Sequence, residues 1–162
     1  MIIVSVLMIT YNHENFIREA IEGVLMQKTD FPVELIIGED CSTDSTRKIC
    51  LEYKAKYPDK IRLLLPEFNL GVMRNFIETM QAATGKYIAL CEGDDYWTDQ
   101  YKLQKQVDFL EANSDYSCCF HRYDILDEET NLKRKDNIEF LFIDNDLKGC
   151  EISTELFLNK WI

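Results

Sequence analysis

Three carboxylates fall within four positions of the stretch CEGDDYW, residues 91–97: Glu92, Asp94 and Asp95. Acids this close repel one another, and each resists ionisation unless a cation or hydrogen-bond donors offset the charge. If residues 92–94 are extended, Glu92 and Asp94 project to one side and Asp95 to the other. Such a pair can address a metal ion and a neighbouring hydroxyl together. Hard cations take oxygen ligands, and Mg²⁺ is commonly held by one or two carboxylates plus the phosphates of a substrate. The chemistry implied is the neutralisation of a phosphorylated ligand by Mg²⁺ or Mn²⁺ seated on this loop.

The surrounding elements must carry that loop to a rim. Residues 2–9 (IIVSVLMI) are apolar and β-rich and predict a buried strand. Residues 14–27 place Phe16, Ile17, Ala20, Ile21, Val24 and Leu25 on one helical stripe. Residues 33–38 (VELIIG) predict a second strand. STDSTRKICLEYKAKY opens with cap-forming residues and predicts a helix ending at Pro58. A third strand is expected over 61–65, a helix over 72–83, a fourth strand over 86–91 and an amphipathic helix over 101–112. A fifth strand is expected over 116–126, a loop-rich excursion over 127–149 and a last helix over 153–160. Alternation of this kind predicts an α/β fold, with a mainly parallel sheet and helices on both faces.

Composition limits the partners. The chain has 162 residues and a formal net charge of −11, with 46% hydrophobic and 29% charged residues. That length suits a single domain over 1–162 with a real core. The acidic balance argues against duplex nucleic acid, which needs a basic face, and against electrostatic docking on anionic lipid. The sequence has no apolar run long enough to predict a membrane span. The N-terminus lacks the basic segment of a signal peptide. The expected location is cytoplasmic, with or without peripheral association with a membrane. The six cysteines form no C-x-x-C pair and read as small buried hydrophobes.

Ligands of a parallel sheet bind outside the carboxyl ends of its strands. Thr10, Tyr11 and Asn12 follow the first strand, Glu39 and Asp40 the second, Asn69 and Gly71 the third, and Glu92, Asp94 and Asp95 the fourth. All four polar clusters therefore share one rim. The turn after the first strand, TYNHEN, contains no glycine, and no G-x-x-x-x-G-K-[ST] loop occurs. A glycine cradle for a diphosphate is thus missing, which returns the task to the cation.

SVLMITYN, GEDCSTDST, N-x-G-x-x-x-N over 69–75 and TGKYIALCEGDDYW together resemble the N-terminal, donor-binding portion of a family 2 glycosyltransferase. The resemblance covers residues 2 to about 125. It implies a GT-A fold and transfer of a sugar, with inversion, from a nucleotide-diphosphate donor to a glycan or lipid-linked acceptor. Under it, Thr10, Tyr11 and Asn12 line the base and ribose pocket, and Asp40 accepts the imide N–H of uracil, so that a UDP-sugar is the expected donor. Asn69, Gly71 and Asn75 shape the donor loop. Asp94 binds Mn²⁺ or Mg²⁺, with Glu92 and Asp95 beside it. The sequence departs from the family where Ile9 replaces a proline and where Glu39 and Glu92 each replace an aspartate. The family's general base has no match before Ile162, so the acceptor portion is expected beyond that residue. Neither Asp124 nor Asp127 is a strong substitute.

Two other classes remain open at the level of sequence. One is a sugar-nucleotide-binding domain without catalysis. The other is a receiver-type signalling domain, which would need an aspartate after the third strand where PEFNLG stands. Other conspicuous residues have structural readings. Asp44 is expected to be a helix-capping or first-turn acid, Arg74 to be solvated or paired with a carboxylate, and His121 to sit satisfied in a core strand. Tyr96 and Trp97 are expected to pack as a wall under the acidic loop, with Lys102 and Lys105 on a solvated helix face.

Overall fold

A computed structural model describes residues 1–127, 130 and 132–135. The chain divides into two compact units, Met1–Val107 and Asp108–Ile162.

The first unit alternates strands and helices: β1 (Val4–Thr10), α1 (Ile17–Leu25), β2 (Val33–Glu39), α2 (Thr46–Lys56), β3 (Ile61–Leu64), α3 (Val72–Gln81) and β4 (Tyr87–Leu90). Helix α4 (Lys102–Ala112) begins in this unit. The four strands form one parallel sheet in the order β3-β2-β1-β4. β1 is thus central, with β2 reached on one side and β4 on the other. The expected mainly parallel α/β architecture is the one observed.

Strand periodicity decides which residues meet which helix. Val4, Val6 and Met8 of β1 pair in register with Val33, Leu35 and Ile37 of β2. That face packs with Ile17, Ala20, Ile21 and Val24 of α1, Ile49, Cys50 and Tyr53 of α2, and Leu103 and Val107 of α4. Burying a residue such as Ile37, which is fully enclosed, contributes about 1.5–3 kcal/mol. The opposite face carries α3. Its Asn75 donates to the Gly38 carbonyl at 2.8 Å, and Thr79 Oγ1 donates to the Asn75 carbonyl at 2.7 Å. Both side chains are buried, so a polar seam fixes α3 to β2. The same helix leaves Val72, Met73, Ile77 and Met80 exposed.

In the second unit, β5 (Asp124–Asp127) pairs antiparallel with β6 (Leu132–Lys135). The expected fifth strand over 116–126 is therefore shortened to its end, where it joins a separate hairpin. The excursion over 127–149 contains β6. His121 is exposed and outside any strand, which corrects its reading as a core residue. One apolar run cannot distinguish a sheet strand from a hairpin arm. The helix expected over 153–160 lies outside the described residues. Among the described residues, no helix is long and apolar enough to cross a membrane.

Candidate active site

The carboxyl ends of β1 and β4 lie side by side, because the strand order reverses between them. This is the switch point at which ligands of parallel sheets bind. The ladder continues past the formal strands: Cys91 N–H donates to the Leu7 carbonyl at 3.1 Å and Gly93 N–H to the Ile9 carbonyl at 3.0 Å. A turn follows, closed by Asp95 N–H on the Glu92 carbonyl at 3.1 Å. Glu92, Asp94 and Asp95 are all exposed on it. The Glu92 carboxyl is held above the usual carboxylate range by partial burial and by the charges of Asp94 and Asp95, against an opposing pull from His13.

Behind the loop lies an apolar floor. Trp97 is buried and belongs to the core, as the sequence suggests. Its backbone passes so close to Gly23 of α1 that a β-carbon there would stand 2.9 Å from the Trp97 nitrogen. Lys102 places its ammonium 3.9 Å from the centre of the Trp97 ring, and so turns toward this floor rather than to open solvent. Lys105 is exposed and pairs with Asp99 at 2.6 Å.

The loops after β1 and β2 are bonded to each other through Asn12, His13 and Glu14 on one side and residues 42–46 on the other. Asn12 has φ of +56°; its Oδ1 accepts from Thr43 N–H at 2.8 Å, and its own N–H donates to Ser42 Oγ at 3.0 Å. His13 N–H donates to Thr46 Oγ1 at 2.8 Å. Glu14 accepts from Ser45 N–H at 2.9 Å, while Asp44 accepts from Glu14 N–H at 3.0 Å and Thr46 N–H at 2.9 Å. The N-cap of α2 is Ser45, which makes no side-chain cap bond; Asp44 stands one residue before it, outside the first turn where the sequence placed it, and braces the turn through Thr46 and Glu14 N–H instead. Burial pushes its pKa up, but the hydrogen bonds from Thr46 and Glu14 outweigh that and hold it below the usual range.

Glu39 is fully buried, accepts from Ser42 N–H at 2.7 Å and is paired with Arg47 Nε. Arg47 also donates to the Pro66 carbonyl at 3.0 Å. The glutamate at this position therefore ties the loops after β2 and β3 together. Sequence reasoning did not single out Arg47; its spacing from Glu39, across a loop and into a helix, carries no local signal.

Asp40 faces the third loop. Its two carboxylate oxygens accept from Leu70 N–H at 2.7 Å and Gly71 N–H at 2.9 Å, and its carbonyl accepts from Asn69 Nδ2 at 2.9 Å. Gly71 has φ of +81°, a conformation that glycine adopts without strain, and it starts α3. Asn69 is exposed, whereas Asn75 is buried in the seam with β2. Tyr11 is 42% exposed at the rim and Thr10 is buried beneath it. Arg74 pairs with Glu78 one helical turn on, at 2.9 Å.

The structure thus brings Tyr11, Asn12, Asp40, Asn69, Gly71, Glu92, Asp94 and Asp95 to loops on one rim, with Thr10 buried at the end of β1 beneath it, and sets Asn75 one step behind. Among the described residues no set of three or more metal-ligating side chains converges. Exposed carboxylates crowded on one turn suit a hard cation completed by phosphate oxygens. Cys50 and Cys91 are buried, and burial pushes both thiols up to about 12, where they are inert. Cys41, Cys118 and Cys119 are only partly buried.

This geometry has relatives. A protein of Mycobacterium tuberculosis, Rv1520, is 49% identical over 125 residues, which make up 77% of this chain and 36% of that one. The dTDP-rhamnosyl transferase RfbG of Shigella flexneri is 34% identical over 112 residues, 66% of this chain and 38% of its own. The crystal structure of S. aureus TarS 1-349 in complex with UDP aligns with a TM-score of 0.61 and 27% identity, covering 70% of this chain and 33% of that one. The chain thus spans about a third of the length of the curated relatives it matches. The model of glycosyl transferase family 2 matches residues 5–160, and the chain belongs to that family.

Proposed function

We propose that this chain is the donor-binding portion of an inverting, divalent-cation-dependent glycosyltransferase that takes a UDP-sugar. The observation that carries the reading is the exposed, mutually repelling acid cluster of Glu92, Asp94 and Asp95 at the switch point between β1 and β4. Asp94 would hold the cation, with Glu92 and Asp95 beside it toward the ribose and the acceptor. Bound there, Mn²⁺ or Mg²⁺ would neutralise the diphosphate and make it a better leaving group.

The residues of the chain position the donor. Tyr11 is exposed where a base or ribose would lie. The bonds of Asn12 to the Ser42–Thr43 turn hold the pocket wall rigid, which limits the ordering cost of binding. A carboxylate has about four lone-pair sites, so Asp40 retains one on each oxygen beyond its bonds to Leu70 and Gly71. We assign one of these to the N3–H of the base. Uracil and thymine both offer that donor, which accords with a UDP complex and a dTDP-sugar enzyme among the similar proteins. Inverting transfer also needs a base for the acceptor hydroxyl. In this reading the base and the acceptor wall belong to the remaining two thirds of a full-length enzyme.

Calorimetry of UDP in Mn²⁺ and in EDTA tests the reading. Binding should weaken at least tenfold in EDTA, roughly 1.4 kcal/mol. Equal affinities would remove the cation from the proposal, and no UDP binding in either buffer would remove the donor site. Cytosine sets an acceptor against Asp40, so UDP should also bind about ten- to a hundredfold more tightly than CDP. A ratio left unchanged in Asp40→Ala would reduce Asp40 to a brace for the 69–71 loop.

A further inference from the structure

Two buried polar atoms beside the acidic loop have no hydrogen-bond partner: Thr10 Oγ1 and His13 Nδ1. Both lie against Gly93. A β-carbon on that residue would stand 2.5 Å from Thr10 Oγ1 and 3.0 Å from His13 Nδ1. Thr10 is 3% exposed. Buried polar groups without partners are uncommon and costly, and here they face the residue at the centre of the acid cluster.

The other edge of the imidazole points at that cluster. His13 Nε2 lies 3.8 Å from Asp94 Oδ2, with the two side chains 25% and 49% exposed. This is too long for a hydrogen bond, but it suits two ligands of one ion. With ligand bonds near 2.1–2.2 Å, donor atoms are separated by roughly 3 Å at right angles and 4.3 Å when opposed. The backbone that carries the imidazole is held on both sides, through His13 N–H on Thr46 Oγ1 and through the His13 carbonyl, which accepts from Phe16 at 3.0 Å and Ile17 at 2.9 Å as α1 begins.

We propose that His13 Nε2 is a second protein ligand of the cation carried by Asp94, making the site a mixed nitrogen–oxygen centre. The inference rests on the donor-site reading above and refines it. Two side chains hold the ion, and diphosphate oxygens and water complete its shell. With Nε2 on the metal, Nδ1 carries the proton, and a metal-bound histidine normally donates that proton to a nearby acceptor. Thr10 Oγ1, likewise unpartnered, packs on the same glycine. An imidazole ligand also shifts preference from Mg²⁺ toward Mn²⁺ and the later transition ions, because Mg²⁺ favours an all-oxygen shell.

Pulsed electron paramagnetic resonance of the chain with Mn²⁺ and inorganic pyrophosphate, which brings no nitrogen, reads the ligand directly. The chain has two histidines, His13 and His121. The expected result is a directly bound ¹⁴N coupling that changes on ¹⁵N-histidine labelling, persists in His121→Gln and disappears in His13→Gln. Mn²⁺ affinity should fall about tenfold or more in His13→Gln, with a smaller change for Mg²⁺. The labelling experiment needs no variant, so a misfolded His13→Gln does not obscure the answer. Mn²⁺ bound in an Asp94-dependent manner with no histidine nitrogen in its shell overturns the inference and leaves the donor site intact. A chain that binds no Mn²⁺ with pyrophosphate overturns both.

Discussion

The rim holds two clusters of charge that behave differently. Around the turn after β2, Glu39, Asp40 and Asp44 are each matched: Glu39 by Arg47 and Ser42, Asp40 by Leu70 and Gly71, Asp44 by Thr46 and Glu14. Across the switch point, Glu92 and Asp94 stand exposed, and partial burial together with the charges of Asp94 and Asp95 holds the Glu92 carboxyl above its ordinary range. Hydrogen bonds to a charged carboxylate favour the charged form, whereas like charges disfavour it. Glu39 and Asp44 are therefore part of the scaffold, and Asp40 braces the 69–71 loop beside the lone pairs assigned to the base. The second cluster stores repulsion that a cation would relieve.

If the two clusters differ in this way, substitutions in them should separate stability from binding. The largest effect is expected at Arg47. Arg47→Ala leaves Glu39 buried and unpaired, which should cost about 3–5 kcal/mol in a urea unfolding experiment. A loss under 1 kcal/mol would mean that water or another donor replaces the guanidinium. Asp94→Asn should do the reverse. UDP binding in Mn²⁺ should weaken about tenfold or more, near 1.4 kcal/mol, with the melting temperature unchanged or slightly raised. A fall in melting temperature would place Asp94 in the scaffold.

Asp44→Ala removes the acceptor of the Thr46 and Glu14 N–H groups and should cost about 1 kcal/mol at neutral pH. The folded pKa of Asp44 is depressed. Its contribution is therefore complete above the unfolded value and is lost as pH falls through the folded one. The variant and the parent should converge in stability at acid pH; a constant gap would show that the carboxylate charge is irrelevant. The smallest effect is expected at Glu92, whose folded pKa is raised. The fold favours its protonated form, so without metal its contribution declines as pH rises from the ordinary carboxylate range through the raised value. Glu92→Gln, followed by thermal melts in EDTA, should abolish that decline while changing stability by no more than about 0.5 kcal/mol. A slope retained in the variant would assign it to Asp94 or Asp95.

The elements of the first unit were legible because each buries a face with its own period. Strand runs such as VELIIG and the stripe from Phe16 to Leu25 differ in spacing, and each was recognised within a few residues of its ends. The errors share a cause. The run over 116–126 is apolar enough for a sheet strand, but whether it joins the sheet or a hairpin depends on partners distant in sequence. His121 followed that error to the surface. A lysine on an amphipathic helix usually lies in solvent, as the pattern around Lys102 suggests; its position over Trp97 arises from a contact the helix pattern does not encode.

What the sequence determined by itself was the family motifs, the parallel α/β alternation and the gathering of polar residues at strand ends. These follow from local periodicity and from the rule that parallel strands deliver their carboxyl ends to one side. Only the tertiary structure decided which acids are satisfied. Glu39 and Asp40 read as neighbours of equal standing, yet one meets Arg47 from α2 and the other two N–H groups from the loop before α3. Only the strand order placed His13 and Thr10 beside Gly93 and Asp94, some eighty positions further along the chain. A charge, a hydroxyl and an imidazole have no fixed role until the fold sets their distances, because electrostatic and hydrogen-bond energies depend on separation and burial rather than on sequence.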